Sequence, residues 1–171
     1  MSFLVILQKR IAGMSRSTLE RFVLRARRAV RLKQTVNVLV TSSAELRLLN
    51  RRFLGKDRPT DVLSFPSPPA DRDKSKRVAG ELAISADIAR DNARRLRRSV
   101  TDEVKILVLH GILHLAGYDH EQDNGEMADK EGRLRRQLNL EVGLIERTQP
   151  NASVRKRNPK SVRPPDRRRT T

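Results

Sequence analysis

The sequence predicts one mixed domain, in which strands alternate with helices, followed by an unstructured basic tail. Three observations predict this. The 171 residues amount to about one domain. Up to residue 115, short runs rich in Val, Ile and Leu alternate with longer segments of helical periodicity, and serines stand where those segments begin. After residue 147 the composition changes: 148–171 holds eight basic residues, one acid, four of the eight prolines and no aromatic. Such a segment buries too little apolar surface to offset the entropy of ordering it. The domain is therefore assigned to 1–147 and the disordered tail to 148–171.

The elements follow in order. Residues 3–7 (Phe-Leu-Val-Ile-Leu) form a first strand, apolar throughout and expected to be buried on both faces. Ser17-x-x-Glu20 is a capping box opening a helix to about Leu32. Leu19, Phe22, Val23, Ala26 and Val30 share its inner face, and Arg21, Arg25, Arg28 and Arg31 share the outer one. Residues 35–41 are a Val-rich second strand. Ser42-x-x-Glu45 caps a second helix, with Leu46, Leu49 and Phe53 inward and Arg47 and Arg51 outward. A third strand over 61–65 is closed by Pro66. Residues 67–79 read as a long polar loop, and 81–85 as a fourth strand. A helix over 86–98 directs Ile88 and Leu96 inward and Arg90, Arg94 and Arg97 outward.

Composition removes several classes of function. No Cys is present, which excludes disulfides, thiolate metal sites and Cys nucleophiles. No apolar run approaches the ~18 residues of a membrane span, and the basic residues near the start follow the apolar run rather than precede it, so a strand is expected there and not a signal peptide. A soluble, cytoplasmic protein is expected. Lys and Arg number 37 against 20 Asp and Glu, a formal charge of +17, and a pI near 11.5 favours a polyanionic partner, nucleic acid ahead of membrane. Arginine stripes on three helices point to a phosphate-binding surface. The four Phe and one Tyr offer little for base stacking, because the Phe are expected in the core.

The chemistry begins at Ser99. Ser99-x-x-Asp102 opens a helix that is apolar on most sides from Val104 to Leu115, as a core helix is. His110 and His114 interrupt it. Four residues apart on a helix, they project from one face. Gly117 offers the left-handed conformation that ends a helix, and His120 follows. All three histidines of the chain thus fall within His-x3-His-x5-His. Three neutral imidazoles leave an open fourth position on zinc, the layout of a catalytic centre; other divalent ions also accept imidazole. The spacing resembles the metzincin protease motif H-E-x-x-H-x-x-G-x-x-H, but Gly111 stands where those enzymes carry their general-base Glu. Peptide hydrolysis is disfavoured on that ground.

His110-Gly-Ile-Leu-His-Leu-Ala-Gly-Tyr-Asp-His120 resembles the signature of the YbeY family of bacterial endoribonucleases, also described as rRNA maturation factors. Two further blocks match: Leu49-Asn50 with Gly55-Lys-Asp-Arg-Pro-Thr-Asp-Val-Leu-Ser-Phe-Pro66, and Gly80-Glu-Leu-Ala-Ile-Ser85. Met127 and Glu131 also fall where family members have them. The likeness spans about 35–140. It implies an α+β domain with a central mixed sheet of about four strands packed by helices and a metzincin-like zinc helix. It also implies one Zn2+ per chain on His110, His114 and His120, with His114 catalytic. The implied activity is single-strand-specific RNA cleavage in maturation of the small-subunit rRNA 3′ end and in ribosome quality control. Ribosomal RNA and the small subunit would be the partners, with no DNA and no membrane. Family members carry an Arg directly before the Gly-Lys-Asp segment; here Leu54 stands there. Arg51, Arg52 or Arg58 are the candidates to bind RNA in its place, and Asp119 and Glu121, flanking the third histidine, are candidates to orient an imidazole or act as a base. A non-catalytic zinc-containing assembly factor that binds rRNA through its basic surface is the alternative.

Overall fold

The computed structural model describes residues 3–68 and 78–140. Part of the loop read over 67–79, the domain boundary near 147 and the tail lie outside those residues. The fold is α+β. Its elements are β1 (Val5–Leu7), α1 (Arg16–Val30), β2 (Thr35–Thr41), α2 (Ser43–Leu54), β3 (Val62–Pro66), β4 (Val78–Ser85), α3 (Ala86–Leu96), α4 (Val100–Leu115) and α5 (Glu126–Gln137). The four strands form one mixed sheet in the order β1-β2-β4-β3. β1 and β4 both run parallel to β2, and β3 runs antiparallel to β4, with Ser64 opposite Leu82.

Alternation along the strands divides the apolar residues between two faces. Val5, Val36, Val38, Val40, Leu82 and Ile84 join the main core with the inner residues of α1 and α4. On the opposite face a smaller cluster gathers Leu46 of α2 with Leu63 and Ala83, flanked by Leu49 and Phe65. α4 is the central helix. Leu109, Ile112 and Leu113 are fully buried, each worth about 1.5–3 kcal/mol relative to exposure. That packing fixes the direction in which its histidines point.

The helix starts follow local chemistry. The Ser42 side chain accepts from the Glu45 amide and that of Ser99 from the Asp102 amide, as the sequence predicts. α1 starts earlier than expected: the cap is Ser15, not Ser17, and its hydroxyl accepts from the Thr18 amide at 3.1 Å. α3 ends at Leu96 rather than 98, because Arg97 turns left-handed at φ 53°. Arg98 then turns inward, 3.2 Å from the buried Glu103 of α4. β4 begins at Val78, three residues before the predicted strand.

Two expectations about burial fail for one reason. β1 is an edge strand whose Ile6, with Leu4 just before the strand, is exposed, at 39% and 47% respectively. Phe53 is 58% exposed and not in the core. Among the described residues, α2 covers only part of the second sheet face and leaves a groove beside it, lined by Leu4, Ile6 and Phe53. The inward position next to Leu49 goes to Asn50, whose amide donates to the Arg58 carbonyl at 2.9 Å and fixes the loop leading to β3.

Candidate metal centre

The end of α4 builds the site. His110 and His114 project from one face of the helix, and their Nε2 atoms approach to 3.1 Å. The helix stops at Leu115. The Gly117 amide bonds to the His114 carbonyl and the Tyr118 amide to that of Leu113. Gly117 has φ 96°, a conformation that favours glycine. The reversal brings His120 back toward the helix, its ring centroid 5.4 Å from that of His110 and 5.1 Å from that of His114.

One ligand atom from each imidazole lies within 4.8 Å of the other two. Nitrogens sharing a tetrahedral ion at ~2.0–2.1 Å stand ~3.4 Å apart. The pair on α4 is already near that separation, and the third imidazole offers its ligand atom within 4.8 Å of both. The donor set therefore fits a divalent ion.

A fourth side chain decides which nitrogen of His110 faces the cluster. Glu131, buried on α5, accepts from His110 Nδ1 at 2.8 Å and from Arg135. A carboxylate can only accept, so the proton is on Nδ1 and Nε2 presents its lone pair to the cluster. Burial alone would raise the pKa of Glu131, but the bonds from His110 and Arg135 overcome it and hold the carboxyl below its usual range. His114 is pushed in the same direction by burial first and then by the charges of His110 and His120, which keeps its imidazole neutral and able to coordinate.

The three histidines line a cavity of about 700 Å³ with Asp61, Tyr118 and Leu54. Asp119 and Glu121 line it too. The described bond of Asp119 Oδ1 goes to the Glu121 amide at 3.0 Å, which shapes the turn beyond the third histidine. Arg51, Arg52 and Arg58 are exposed and lie outside the cavity lining. Arg51 borders a neighbouring hollow with Arg47 and Asp57, and the Arg52 guanidinium lies 5.4 Å above the Phe53 ring. Leu54, half exposed, stands in the cavity wall where the resemblance places a guanidinium.

Gly111 faces away from this cavity. A Cβ built there would lie 2.6 Å from Leu82 Cδ2 and 3.0 Å from Cδ1. Position 111 is thus the contact of α4 with the sheet. A side chain larger than glycine placed there would first meet Leu82, which gives the disfavoured peptidase reading a steric reason.

The family model of endoribonuclease YbeY matches residues 6–139. The chain belongs to the YbeY family. The Koribacter versatilis protein named Endoribonuclease YbeY is 52% identical over 145 residues, which cover 85% of this chain and 91% of that relative. The Solibacter usitatus protein of the same name is 46% identical over 81% of this chain and 89% of its own length. The fold also matches the solution structure of a Thermotoga maritima protein, with a TM-score of 0.55 and 34% identity over 80% of this chain and 89% of that one.

Within this YbeY-family chain, two residues of the site carry no local sequence signal. Glu131 meets His110 across 21 positions, and Asp61 reaches the cavity from the start of β3, where its carboxylate also accepts from the Val62 amide at 2.9 Å. Both lie in stretches quoted for the resemblance. Neither stands at a spacing that reveals its place.

Proposed function

We propose that this protein is a metal-dependent endoribonuclease that cleaves single-stranded RNA, acting on ribosomal RNA in maturation of the small-subunit 3′ end and in ribosome quality control. The observation that carries this reading is the cluster of three imidazoles in an open cavity, in a chain of family and charge suited to RNA. The ion is zinc, one per chain, on His110, His114 and His120. A bound ion supplies Lewis-acid charge for a phosphodiester and its attacking oxygen.

The chain's own residues do the rest. His114 is the catalytic histidine. Glu131 keeps the proton of His110 on Nδ1 and so holds the ring in its coordinating orientation. Asp61, Asp119 and Glu121 at the cavity wall are the carboxylates placed to take up the proton of the attacking oxygen as its bond to phosphorus forms, a proton then passed to the leaving oxygen as the old bond breaks. Exposed arginines on α1 and α2, among them Arg51 and Arg52, together with Arg58, hold the RNA backbone. Partners are ribosomal RNA and the small subunit, in the cytoplasm, with no DNA and no membrane. Among the described residues, no helix is long and apolar enough to cross a membrane.

A second reading is favoured by Leu54. With an apolar side chain in the cavity wall, the protein acts as a zinc-containing assembly factor that binds rRNA without cutting it. One experiment separates the two. A defined single-stranded RNA is incubated with metal-replete protein and with a chelated control. Cleavage that disappears on chelation supports the enzyme. Tight, salt-sensitive binding without cleavage supports the assembly factor.

A further inference from the structure

The open face of the sheet leaves a groove of about 800 Å³ beside α2. Its walls are largely apolar, with Leu4, Ile6, Leu39, Phe53 and Phe65 among them. Soluble domains rarely leave a contiguous apolar surface of this kind without a ligand for it. The groove does not stand alone. Leu54, Ser64 and Pro66 line both it and the histidine cavity, so the two hollows share a wall.

Phe53 dominates the near end of the groove. Its ring is exposed, meets Phe65 edge-on with centroids 5.4 Å apart, and has the Arg52 guanidinium at 5.4 Å. An exposed ring met edge-on by a second aromatic, with an arginine over one face and the other face left to a base, is a pairing that single-stranded nucleic acid uses: base on ring, phosphate on guanidinium. Polar groups lie farther along, where the Asn37 amide approaches Glu81 Oε1 at 3.4 Å. Asn37 Oδ1 accepts from the Leu4 amide at 3.0 Å, so the groups left for the edge of a base are the Asn37 amide N–H and the Glu81 carboxylate.

We infer that the groove between α2 and the open sheet face is a base-binding subsite, in which Phe53 stacks an unpaired nucleobase of an RNA strand whose backbone passes the histidine cavity. This deepens the endoribonuclease reading and rests on it. It also supplies a physical reason for single-strand specificity: a base held in a duplex cannot leave its stack to lie on Phe53. A protein segment or a second copy of this chain is the competing occupant. The shared wall with the histidine cavity and the adjacent arginine favour RNA.

The test uses the full, metal-loaded chain with Phe53→Ala and Phe53→Tyr. Short single-stranded RNAs are prepared, each with one 2-aminopurine or one abasic nucleotide at successive positions. With cleavage as readout, Phe53→Ala raises KM about tenfold, the scale of one lost base–aromatic stack, and Phe53→Tyr restores it. An abasic nucleotide at one position raises KM for the unaltered chain by a similar factor and adds nothing to Phe53→Ala. If the unaltered chain cuts no RNA, the endoribonuclease reading fails, and the subsite is then judged by binding alone. 2-Aminopurine fluorescence is quenched on binding at one position, and Phe53→Ala removes the quenching. Unchanged KM and unchanged quenching in Phe53→Ala overturn the proposal. So does sedimentation showing that Phe53→Ala breaks a dimer while RNA binding is intact, which assigns the groove to a second copy.

Discussion

Glu131 Oε2 stands 2.8 Å from Nδ1 of His110, joining α5 to the coordinating face of α4. The carboxylate fixes both the tautomer and the rotation of the ring. Losing such a partner lowers metal affinity about 10–100-fold in comparable sites. Glu131→Ala is expected to fall in that range. Glu131→Gln, whose amide oxygen still accepts, is expected to lose less. Competition against a chelator of known affinity measures both, and equal affinity in all three proteins contradicts the assignment.

His114→Ala removes one of the three histidines proposed to hold the ion. Zinc retention and RNA cleavage are expected to disappear together while the fold persists, since the side chain is only half-buried. Metal content of the purified variant, circular dichroism and the RNA assay decide it. One zinc per chain with full nuclease activity places the centre elsewhere.

The pH response of His114 has a definite sign. Burial, followed by the charges of His110 and His120, holds its pKa below the ordinary imidazole value of about 6.5. The folded chain therefore binds the proton less readily than the unfolded one. The stability from this group is complete above about pH 6.5 and is lost as pH falls through the folded pKa. In metal-free protein, the NMR signal of the His114 ring should titrate below that of a free histidine. A normal or raised midpoint contradicts the packing described here.

Leu54→Arg introduces a guanidinium into the cavity wall. Affinity for single-stranded RNA is expected to rise several-fold, and the slope of log K against log salt to steepen by about 0.7, the increment for one more contact to a single strand. Fluorescence anisotropy at several salt concentrations measures it. An unchanged slope means that RNA does not pass this wall.

Gly111→Ala sets two effects against each other. Alanine is the better helix former by about 1 kcal/mol, but its Cβ meets Leu82 at 2.6 Å in a fully packed layer. Overpacking typically costs about 1–3 kcal/mol, so net destabilisation of up to about 2 kcal/mol is expected. Denaturant unfolding reads it directly.

What the sequence disclosed, and what it hid, divides by range. Ser42, Ser99 and the His110–His114 pair act within one helical turn, where spacing translates directly into geometry. Ser15 and Ser17 are two serines two positions apart, and only the hydrogen bond to Thr18 distinguishes them. A run such as 3–7 reads the same whether both faces are covered or one lies open to a groove, so the exposure of Leu4 and Ile6 was not legible. Phe53 has the spacing of a core residue. Its exposure depends on where α2 ends over the sheet, a tertiary fact. The bond between Glu131 and His110 is likewise tertiary, set by how α5 lies against α4.

The tight seating of Gly111 on Leu82 also bears on how such a scaffold can change over generations. The codon at 111 cannot simply drift to an acidic residue and open a route to proteolysis. The strand beneath would first have to shed the bulk of Leu82, and each intermediate sequence would carry a damaged interior. The contact thus acts as a historical lock on position 111, set by the bulk beneath it and not by the histidines.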